Sequence, residues 1–429
     1  MRKLRFGVNH TPSKGWFYSW LEPSWDDVRR DFDAIAELGL DHVRIFPLWP
    51  LLQPNRALIR ERALADVRTT VELAARAGLD TAVDVVQGHL SSFDFLPSWL
   101  TSWHGRNMFT DPGAVEAQAR LVRAVHDAVA DVPGVLALTL GNELNQFSDR
   151  PHPSPMAADR HQAAAWLEAL LGAVPADSAL PVLHAAYDAV WYLDDHPFEP
   201  AHAARLGDLT AIHSWIFNGT GQHYGGMSPE SQRHAAYLTE LSLAFAAPDR
   251  PVWLQEIGAP LNCLGESEAA DFCEGSVRHA ADSANLWGVT WWCSHDVSRA
   301  YADFPELEFT LGLFDEGGAA KPLARRFGAL AAELASAPAP PPRTTAVRVP
   351  VDGRGVPVSR SELAPGGGVF EAWMAAAARG ERPALVTSAD ADAPARLAAR
   401  GVDTVLPPYP GGRSVYGAVS SDSPLRVDA

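Results

Sequence analysis

The stretch Val135-Leu-Ala-Leu-Thr-Leu-Gly-Asn-Glu143 is a mostly apolar run that ends in an amide and a carboxylate. A second run, Val252-Trp-Leu-Gln-Glu256, has the same form about 110 residues later, a spacing that suits two strands of one barrel. Short apolar runs bounded by polar segments are typical of buried strands. In both places a polar segment and then a helical pattern follow the glutamate. The two stretches therefore predict two buried strands, each with a glutamate at its carboxyl end.

The order of a buried strand followed by a helix repeats along residues 1–336. Strands that alternate with helices form parallel sheets, and eight such units form a (β/α)8 TIM barrel. Glu143 and Glu256 then follow the fourth and seventh strands, on the face where such barrels hold their active sites. The predicted strands are Arg5–Asn9, His42–Phe46, Thr81–Val86, Val135–Leu140, Val182–Ala186, Leu209–His213, Val252–Leu254 and Val289–Cys293. The predicted helices are Trp25–Leu38, Glu61–Ala77, Gly113–Ala130, Met156–Val174, Pro200–Leu206, Pro229–Phe245, Ser267–Trp287 and Pro322–Ser336.

The remainder of the chain predicts a small α/β accessory domain over residues 344–429, for which the sequence indicates no role. A Pro/Ala-rich linker over residues 337–343 precedes it, and this composition favours an extended, semi-rigid connection. Gly366-Gly-Gly368 lacks the Lys-Ser/Thr pair of a phosphate-binding loop. The expected strands are Ala346–Pro350, Ala384–Thr387 and Thr404–Leu406, and the expected helices are Val369–Arg379 and Ala393–Ala399.

Charge and hydropathy exclude two classes of partner. Lys and Arg number 35 and Asp and Glu number 52, for a net charge of −17. A surface this acidic repels phosphate backbones, so we expect no nucleic-acid partner. No apolar run has the length of a signal peptide or a membrane span, so we expect a cytoplasmic protein with no membrane partner. The sequence leaves a homo-oligomer open.

The cysteines indicate neither a disulfide framework nor a metal centre. Cys263, Cys273 and Cys293 are odd in number and include no Cys-x-x-Cys pair. We expect reduced, buried thiols, with no metal and no cofactor.

Two glutamates at strand ends of one barrel suit the hydrolysis of a glycosidic bond, which needs one carboxylic acid and one carboxylate. The chain also holds 14 tryptophans, the usual stacking surface for sugar rings, although barrel cores use them as well. Two other classes stay open. A catalytically silent sugar-binding barrel would lack one of the glutamates. A metal- or phosphate-dependent barrel enzyme would show His/Asp clusters at strand ends or a glycine-rich phosphate loop.

Asn142-Glu143 after the fourth strand and Glu256 after the seventh resemble the paired glutamates of glycoside hydrolase clan A, and in detail those of family 5. The resemblance covers residues 1 to about 336. It implies an oligosaccharide or glycoside substrate and a retaining mechanism. In that mechanism Glu143 is the acid/base and Glu256 the nucleophile.

Further positions match the same family. The resemblance implies that Arg44 supports the nucleophile and that His213 lies near the acid/base. It also implies that His89 is the active-site histidine of the third loop and that Trp292 floors the sugar subsite. Packing or ion pairing alone is the alternative explanation for each of these residues, because strand ends also carry structural side chains.

One position departs from the family pattern. The family has His-x-Tyr after the sixth strand, and the tyrosine hydroxyl bonds the nucleophile. Here the run is His213-Ser-Trp215. An indole N–H can donate a hydrogen bond but has no acidic hydroxyl. Either Trp215 stacks on sugar, or Tyr224 of the same loop supplies the hydroxyl.

The substrate is indicated indirectly. Long loops after the third, sixth and eighth strands favour a pocket and hence exo-action. Gly7-Val-Asn-His-Thr-Pro-Ser13 and Gly88-His-Leu-Ser-Ser92 resemble exo-acting β-mannosidase-like members of family 5, some of which act on the mannose–N-acetylglucosamine disaccharide. Trp16 and Trp20 are candidates for a subsite wall. β-Glucosidase, β-galactosidase and endo-β-mannanase or cellulase specificities are the alternatives.

Overall fold

The computed structural model describes residues 3–149 and 152–417, and residues 3–334 contain a (β/α)8 TIM barrel. The barrel strands are β1 (Arg5–Asn9), β2 (His42–Ile45), β3 (Asp80–Asp84), β4 (Val135–Thr139), β5 (Val182–Leu183), β6 (Thr210–Ser214), β7 (Val252–Ile257) and β8 (Leu286–Trp291). They form one parallel sheet in the order β5-β4-β3-β2-β1-β8-β7-β6. The two end strands meet where the Asp208 N–H donates to the Val182 carbonyl at 2.9 Å.

The helices begin at the signals that the sequence carries. Asp111 caps one helix by accepting the Ala114 N–H, and Asp159 forms a capping box with Gln162 at the next. The barrel helices are α1 (Trp25–Glu37), α2 (Glu61–Arg76), α3 (Pro112–Val129), α4 (Arg160–Leu171), α5 (Pro200–Arg205), α6 (Pro229–Phe245), α7 (Ala269–Ala281) and α8 (Pro322–Leu334). Short helical segments in the loops are Trp16–Leu21, Trp49–Leu52, Leu144–Ser148, Ala189–Tyr192, Thr220–Tyr224, Glu266–Glu268 and Glu306–Thr310.

The boundaries of β7 and α7 are among those that differ from the predicted ones. β7 continues to Ile257, so Glu256 lies on the strand and not after it. The sequence predicts that the seventh helix runs to Trp287, but α7 ends at Ala281 and Trp287 belongs to β8. Asn285 makes the turn between them, and its amide donates to the carbonyl of Arg250 just before β7. That contact lies 35 positions back in the chain, so no local pattern could reveal it.

The C-terminal residues form a small α/β domain that packs on α6. Its parallel sheet has the order β10-β9-β11, with β9 (Thr345–Val349), β10 (Ala384–Thr387) and β11 (Thr404–Leu406). Its helices are α9 (Gly368–Ala378), α10 (Ser388–Ala391) and α11 (Pro394–Ala399). α6 is buried along most of its length because it lies between this domain and the barrel. Tyr237 of α6 donates to the Leu363 carbonyl at 2.6 Å and packs against Phe370 and Trp373. Residues 418–429 of the predicted accessory domain lie outside the described residues.

Within the described residues, no helix combines the length and the apolar character needed to cross a bilayer.

Candidate active site

The turn after β4 places Glu143 over the barrel. A Cβ on Gly141 would lie 2.2 Å from the carbonyl oxygen of Val86, so the close approach of these two loops requires glycine. Glu143 itself has φ 47°, in the left-handed region that side chains other than glycine rarely adopt. Backbone of this kind is held in place by surrounding structure and is frequent at functional sites. The chain is thereby turned from β4 into the short helix Leu144–Ser148.

The Glu143 carboxylate is buried and makes two short hydrogen bonds. His213 Nδ1, at the end of β6, contacts Oε1 at 2.6 Å, and Gln146 Nε2 donates to Oε2 at 2.6 Å. Burial raises the pKa of Glu143, but the bond and the charge of His213 outweigh it, and the pKa lies below its ordinary value. The other ring nitrogen of His213 faces Gln255 Oε1 at 3.4 Å, so both nitrogens face acceptors.

His213 is correspondingly held in its charged form. Burial lowers its pKa, but the charges of Glu256 and Glu143 and the bond to Glu143 raise it above its ordinary value. The bond between His213 and Glu143 therefore keeps its proton to a higher pH than a free histidine would.

Glu256 faces the same ring nitrogen of His213 as Glu143 does, and it accepts from two fixed donors. Arg44 Nη1 donates to Oε1 at 2.8 Å, and Trp215 Nε1 donates to Oε2 at 3.2 Å. His213 Nδ1 lies 3.4 Å from Oε2. Burial and the charge of Glu143 raise the pKa of Glu256 above its ordinary value, and His213 and Arg44 offset only part of this rise. Above that pKa, the guanidinium and the indole N–H stabilise the carboxylate.

Arg44 ties the strand ends together. Its guanidinium is fully buried, and five hydrogen bonds match its five N–H donors. Two run to the carboxylate of Asp84 at 2.8 and 2.7 Å. The others run to Asn9 Oδ1 at 3.2 Å, Glu256 Oε1 at 2.8 Å and Asn142 Oδ1 at 2.8 Å. The ends of β1, β2, β3, β4 and β7 are thus bonded through one side chain.

Glu143, His213 and Glu256 each offer one ligand atom, and these atoms lie within 4.8 Å of one another. Such a set could in principle hold a divalent cation. However, the Arg44 guanidinium already bonds Glu256, and a charged His213 lies between the two carboxylates. These two positive groups neutralise the site and oppose a further cation. The arrangement suits proton exchange between two carboxylates.

His89 and Trp292 also lie at this face. The His89 carbonyl accepts from the Asn142 amide at 3.4 Å, its ring contacts Asp94 at 3.2 Å, and its charge contributes to the lowered pKa of Glu143. Trp292 follows β8 and is 4% exposed, and the peptide bond that joins it to the next residue is cis. The structure therefore brings these predicted residues around the glutamate pair.

Tyr224 does not supply the missing hydroxyl. Its hydroxyl bonds Glu371 of α9, and its ring faces Phe370, so this side chain belongs to the contact with the C-terminal domain. Trp215 occupies the place instead, as an N–H donor to Glu256.

Trp16 and Trp20 differ in position. Trp16 is 2% exposed and packs at 4.7 Å from Phe304 and 5.4 Å from Phe93. These three rings, with Phe95 and Phe309, form a cluster that we call the aromatic collar, in which the loops after β1, β3 and β8 meet. Trp20 packs against the edge of the same cluster and lines a surface cavity whose walls include neither glutamate.

Three residues of the site were not predicted from the sequence. Asn9 ends β1 and Asp84 ends β3. Both could have been predicted, as the glutamates were, because active-site residues of such barrels lie at the carboxyl ends of the strands. Gln146 bonds Glu143 from one turn further along a loop helix, where no strand-end rule applies.

Comparison with solved structures identifies the family. A GH5_18 crystal structure from Bifidobacterium longum subsp. infantis is 53% identical, with a TM-score of 0.96, over 98% of this chain and all of that one. The chain belongs to subfamily 18 of glycoside hydrolase family 5. A GH5_18 variant from Bifidobacterium longum subsp. longum, with a glutamate replaced by alanine, is 50% identical, with a TM-score of 0.95 over 98% of this chain and all of that one. Its structure is a complex with Manβ1-4GlcNAc.

Membership of GH5_18 makes this protein a glycosidase. An exo-β-1,4-mannosidase from an Opitutaceae bacterium, at 21% identity and a TM-score of 0.74, shares the fold over 90% of this chain and 69% of that one. No protein-family model and no curated protein matches the chain.

Proposed function

We propose that this GH5_18 glycosidase is a retaining exo-β-mannosidase that releases mannose from Manβ1-4GlcNAc. The observation that carries the proposal is the pair Glu143 and Glu256, with carboxylate oxygens within 4.8 Å at the ends of β4 and β7. Retaining glycosidases hold their two carboxyl groups about 5 Å apart, whereas inverting ones leave about 6.5–9.5 Å for a water. The complex of a 50% identical GH5_18 variant with Manβ1-4GlcNAc supports the substrate.

In the first step Glu256 attacks C1 of the mannosyl unit as its bond to the leaving oxygen breaks. Glu143 delivers a proton to that oxygen, and GlcNAc departs with it. In the second step a water attacks C1 and gives its proton to Glu143, and the bond to Glu256 breaks. Two inversions at C1 leave β-mannose as the first product.

The proton source is the bond between Glu143 and His213. In the free protein this bond keeps its proton to a higher pH than a free histidine would, because the two carboxylates raise the pKa of His213. As Glu256 attacks, its negative charge is lost to the forming ester bond, so the hold on the proton weakens within the same step. Glu143 can then act as an acid in the first step and as a base in the second.

Exo-action is supported by the closed side of the site. The loops after β1, β3 and β8 meet in the aromatic collar. A hydrogen bond also joins the β3 loop to the β8 loop, because Ser91 Oγ donates to Glu308 Oε2 at 3.0 Å. A polymer running through the site would have to pass this contact. A pocket of this form accepts a chain end.

The decisive experiment combines a substrate panel with the anomeric form of the product. p-Nitrophenyl β-mannoside, β-glucoside and β-galactoside and Manβ1-4GlcNAc would be compared, with NMR following the first anomer. We expect fastest release from the mannoside, β-mannose first, and unchanged rates with a chelator present. Faster release from the glucoside or the galactoside would contradict the mannosidase specificity. α-Mannose as the first product would contradict the retaining mechanism, and a loss of activity with the chelator would contradict metal-free chemistry.

Two variants test the roles. Glu256→Ala should lose turnover and regain part of it with azide, which yields the α-mannosyl azide because only one inversion occurs. Glu143→Ala should retain more activity on aryl mannosides with good leaving groups than on the disaccharide, since such groups need little protonation. Glu306→Ala, an exposed glutamate paired with Arg299, is the matched control. Equal behaviour of both variants on good leaving groups would contradict the assignment.

We also propose a cytoplasmic site of action on imported oligosaccharides. Cys263, Cys273 and Cys293 are free, and burial raises the pKa of the Cys263 thiol to about 11, as suits unreactive thiols in a reducing compartment. Cell fractionation followed by the β-mannoside assay tests this location.

A further inference from the structure

A third acidic side chain lies within electrostatic range of the glutamate pair. Glu308 belongs to the short helix Glu306–Thr310 in the long loop after β8. The two residues before it differ in exposure, since Glu306 is exposed and Leu307 is buried. Glu308 is half-buried, and the charges of Glu256 and Glu143 reach it.

Two neutral donors hold this carboxylate. Ser91 Oγ, from the loop after β3, donates to Oε2 at 3.0 Å, and the Trp292 indole also bonds it. Ser91 has φ 50°, a left-handed conformation that this loop maintains while its side chain reaches across to the β8 loop. A carboxylate has about four acceptor directions, so two remain for further donors.

The electrostatic surroundings of Glu308 are unfavourable for a structural carboxylate. Among the residues that the structure describes, no arginine, lysine or histidine forms an ion pair with it; Arg299, in the same loop, pairs with Glu306. Burial and the charges of Glu256 and Glu143 raise the pKa of Glu308 to about 7, against the lowering effect of Ser91 and Trp292. A half-buried acid without a cation, near two further acids, destabilises the free protein.

We propose that Glu308 is a specificity-determining residue whose carboxyl group binds hydroxyl groups of the sugar that occupies the pocket. This inference rests on the proposed glycosidase function and adds to it a residue in contact with the glycon. Trp292 lies beside the reacting pair, and Glu308 is bonded to it, so a sugar on Trp292 reaches Glu308 with its hydroxyls. Sugar hydroxyls donate strong, short bonds to carboxylates, and such bonds offset the desolvation of the acid.

The test compares hydroxyl deletion in the substrate with carboxylate deletion in the protein. Wild type, Glu308→Ala and the control Glu306→Ala would be assayed with p-nitrophenyl β-mannoside and its 3-, 4- and 6-deoxy analogues. For wild type, at least one deletion should lower kcat/KM by about 10- to 100-fold, as expected for losing a bond to a charged acceptor. In Glu308→Ala, kcat/KM for the parent substrate should fall by a similar factor. Removing that same hydroxyl from the substrate should then lower kcat/KM by no more than about two-fold. Glu306→Ala should keep the wild-type pattern.

A purely structural glutamate would give a different result. If Glu308→Ala lowered kcat/KM equally for the parent and all three analogues, hydroxyl binding would be overturned. A fall in the melting temperature of Glu308→Gln relative to wild type would also oppose the proposal, because an unpaired acid costs stability. Failure of the proposed function would show separately, since wild type would then leave the β-mannoside intact. The deoxy series of whichever glycoside is hydrolysed would in that case test Glu308.

Discussion

At the scale of single residues, Trp215 shows how a different side chain can serve the same carboxylate. A tyrosine hydroxyl can donate, accept or ionise, whereas an indole N–H only donates. Trp215 Nε1 contacts Glu256 Oε2 at 3.2 Å, so this position keeps Glu256 an acceptor at every pH.

Replacing Trp215 tests that bond. Trp215→Phe removes the donor and retains an aromatic ring, so we expect kcat/KM to fall by about 10- to 100-fold, as for the loss of a bond to a charged group. Trp215→Tyr, which restores a donor, should recover part of the activity. The measurement is steady-state kinetics on an aryl glycoside, with Phe217→Leu in the same loop as the control. Full activity in Trp215→Phe would show that the bond has no catalytic weight.

His213 sets the expected pH dependence. The charges of the two glutamates raise the pKa of His213 against the effect of burial, so its proton is present below that pKa and is lost above it. Glu256 must be ionised to attack, and burial together with Glu143 raises its pKa. We expect a bell-shaped kcat/KM profile. Its acid limb should lie above the ordinary pKa of glutamate and its alkaline limb above that of histidine.

The variant His213→Asn should change this profile on one side. The asparagine cannot hold the proton, so activity should fall and the alkaline limb should move away from its wild-type position, while an acid limb remains. Profiles would be recorded on a substrate with a good leaving group, where the variant keeps measurable turnover. If the alkaline limb is unchanged in His213→Asn, a group other than His213 is responsible for that limb.

At the scale of elements, the sequence predicted strands better than loops. The apolar runs before Glu143 and Glu256 located β4 and β7, and the alternation of strand and helix patterns located the other six strands. A strand of a buried parallel sheet is recognisable locally because it is a continuous run of apolar residues. Arg44 and His213 were predicted from the family resemblance, and both lie at strand ends, where barrels of this type hold their active sites. Gln146 and Glu308 were not predicted, since the sequence of a short loop helix has no periodic pattern that indicates a distant partner. Tyr224 was wrong as a partner for Glu256 because the path of the β6 loop depends on the C-terminal domain.

The turn after β4 gives a prediction about an element junction. Gly141→Ala would place a Cβ 2.2 Å from the Val86 carbonyl and 2.8 Å from Leu144 Cδ1, so the turn that presents Glu143 must shift. A displacement of about 1 Å can cost about 100-fold in rate, and we expect at least that loss in kcat. Gly353→Ala, with no atom within 4 Å of the new Cβ, is the control. Kinetics and melting temperature are measured together. Wild-type kcat in Gly141→Ala would contradict a fixed turn.

At the scale of the whole molecule, the C-terminal domain reaches the loop that follows β5. Tyr416 donates to Asp188 Oδ1 at 2.6 Å, and Asn218 donates to the other oxygen of that carboxyl at 3.3 Å. Burial raises the pKa of Asp188 to about 7, and the charge of Glu143 contributes to the rise. The neighbouring Tyr187 is likewise close enough for Glu143 to affect its pKa. The contact between the two domains therefore lies within electrostatic range of Glu143.

Arg360 provides the anchor for this contact and the means to test it. The side chain is 4% exposed and donates to four backbone carbonyls of the β5 loop, at 2.7–3.3 Å. Arg360→Met keeps the length and leaves those carbonyls without a charged donor, which costs about 1–3 kcal/mol for each buried group left unsatisfied. We expect a loss of at least about 3 kcal/mol in the free energy of unfolding, measured in urea. The control is Arg354→Met, in an exposed turn of the same domain.

Activity of Arg360→Met then separates docking from simple stability. Released from the β5 loop, the C-terminal domain no longer fixes Asp188 through Tyr416, so the environment of Glu143 changes. We expect kcat/KM on the disaccharide to fall more than on an aryl glycoside with a good leaving group, because only the former depends on protonation by Glu143. Tyr416→Phe, which removes one hydroxyl and leaves the anchor, should show the same preference with a smaller loss of stability. Equal losses on both substrates would mean that the C-terminal domain stabilises the barrel without acting on its acid/base residue.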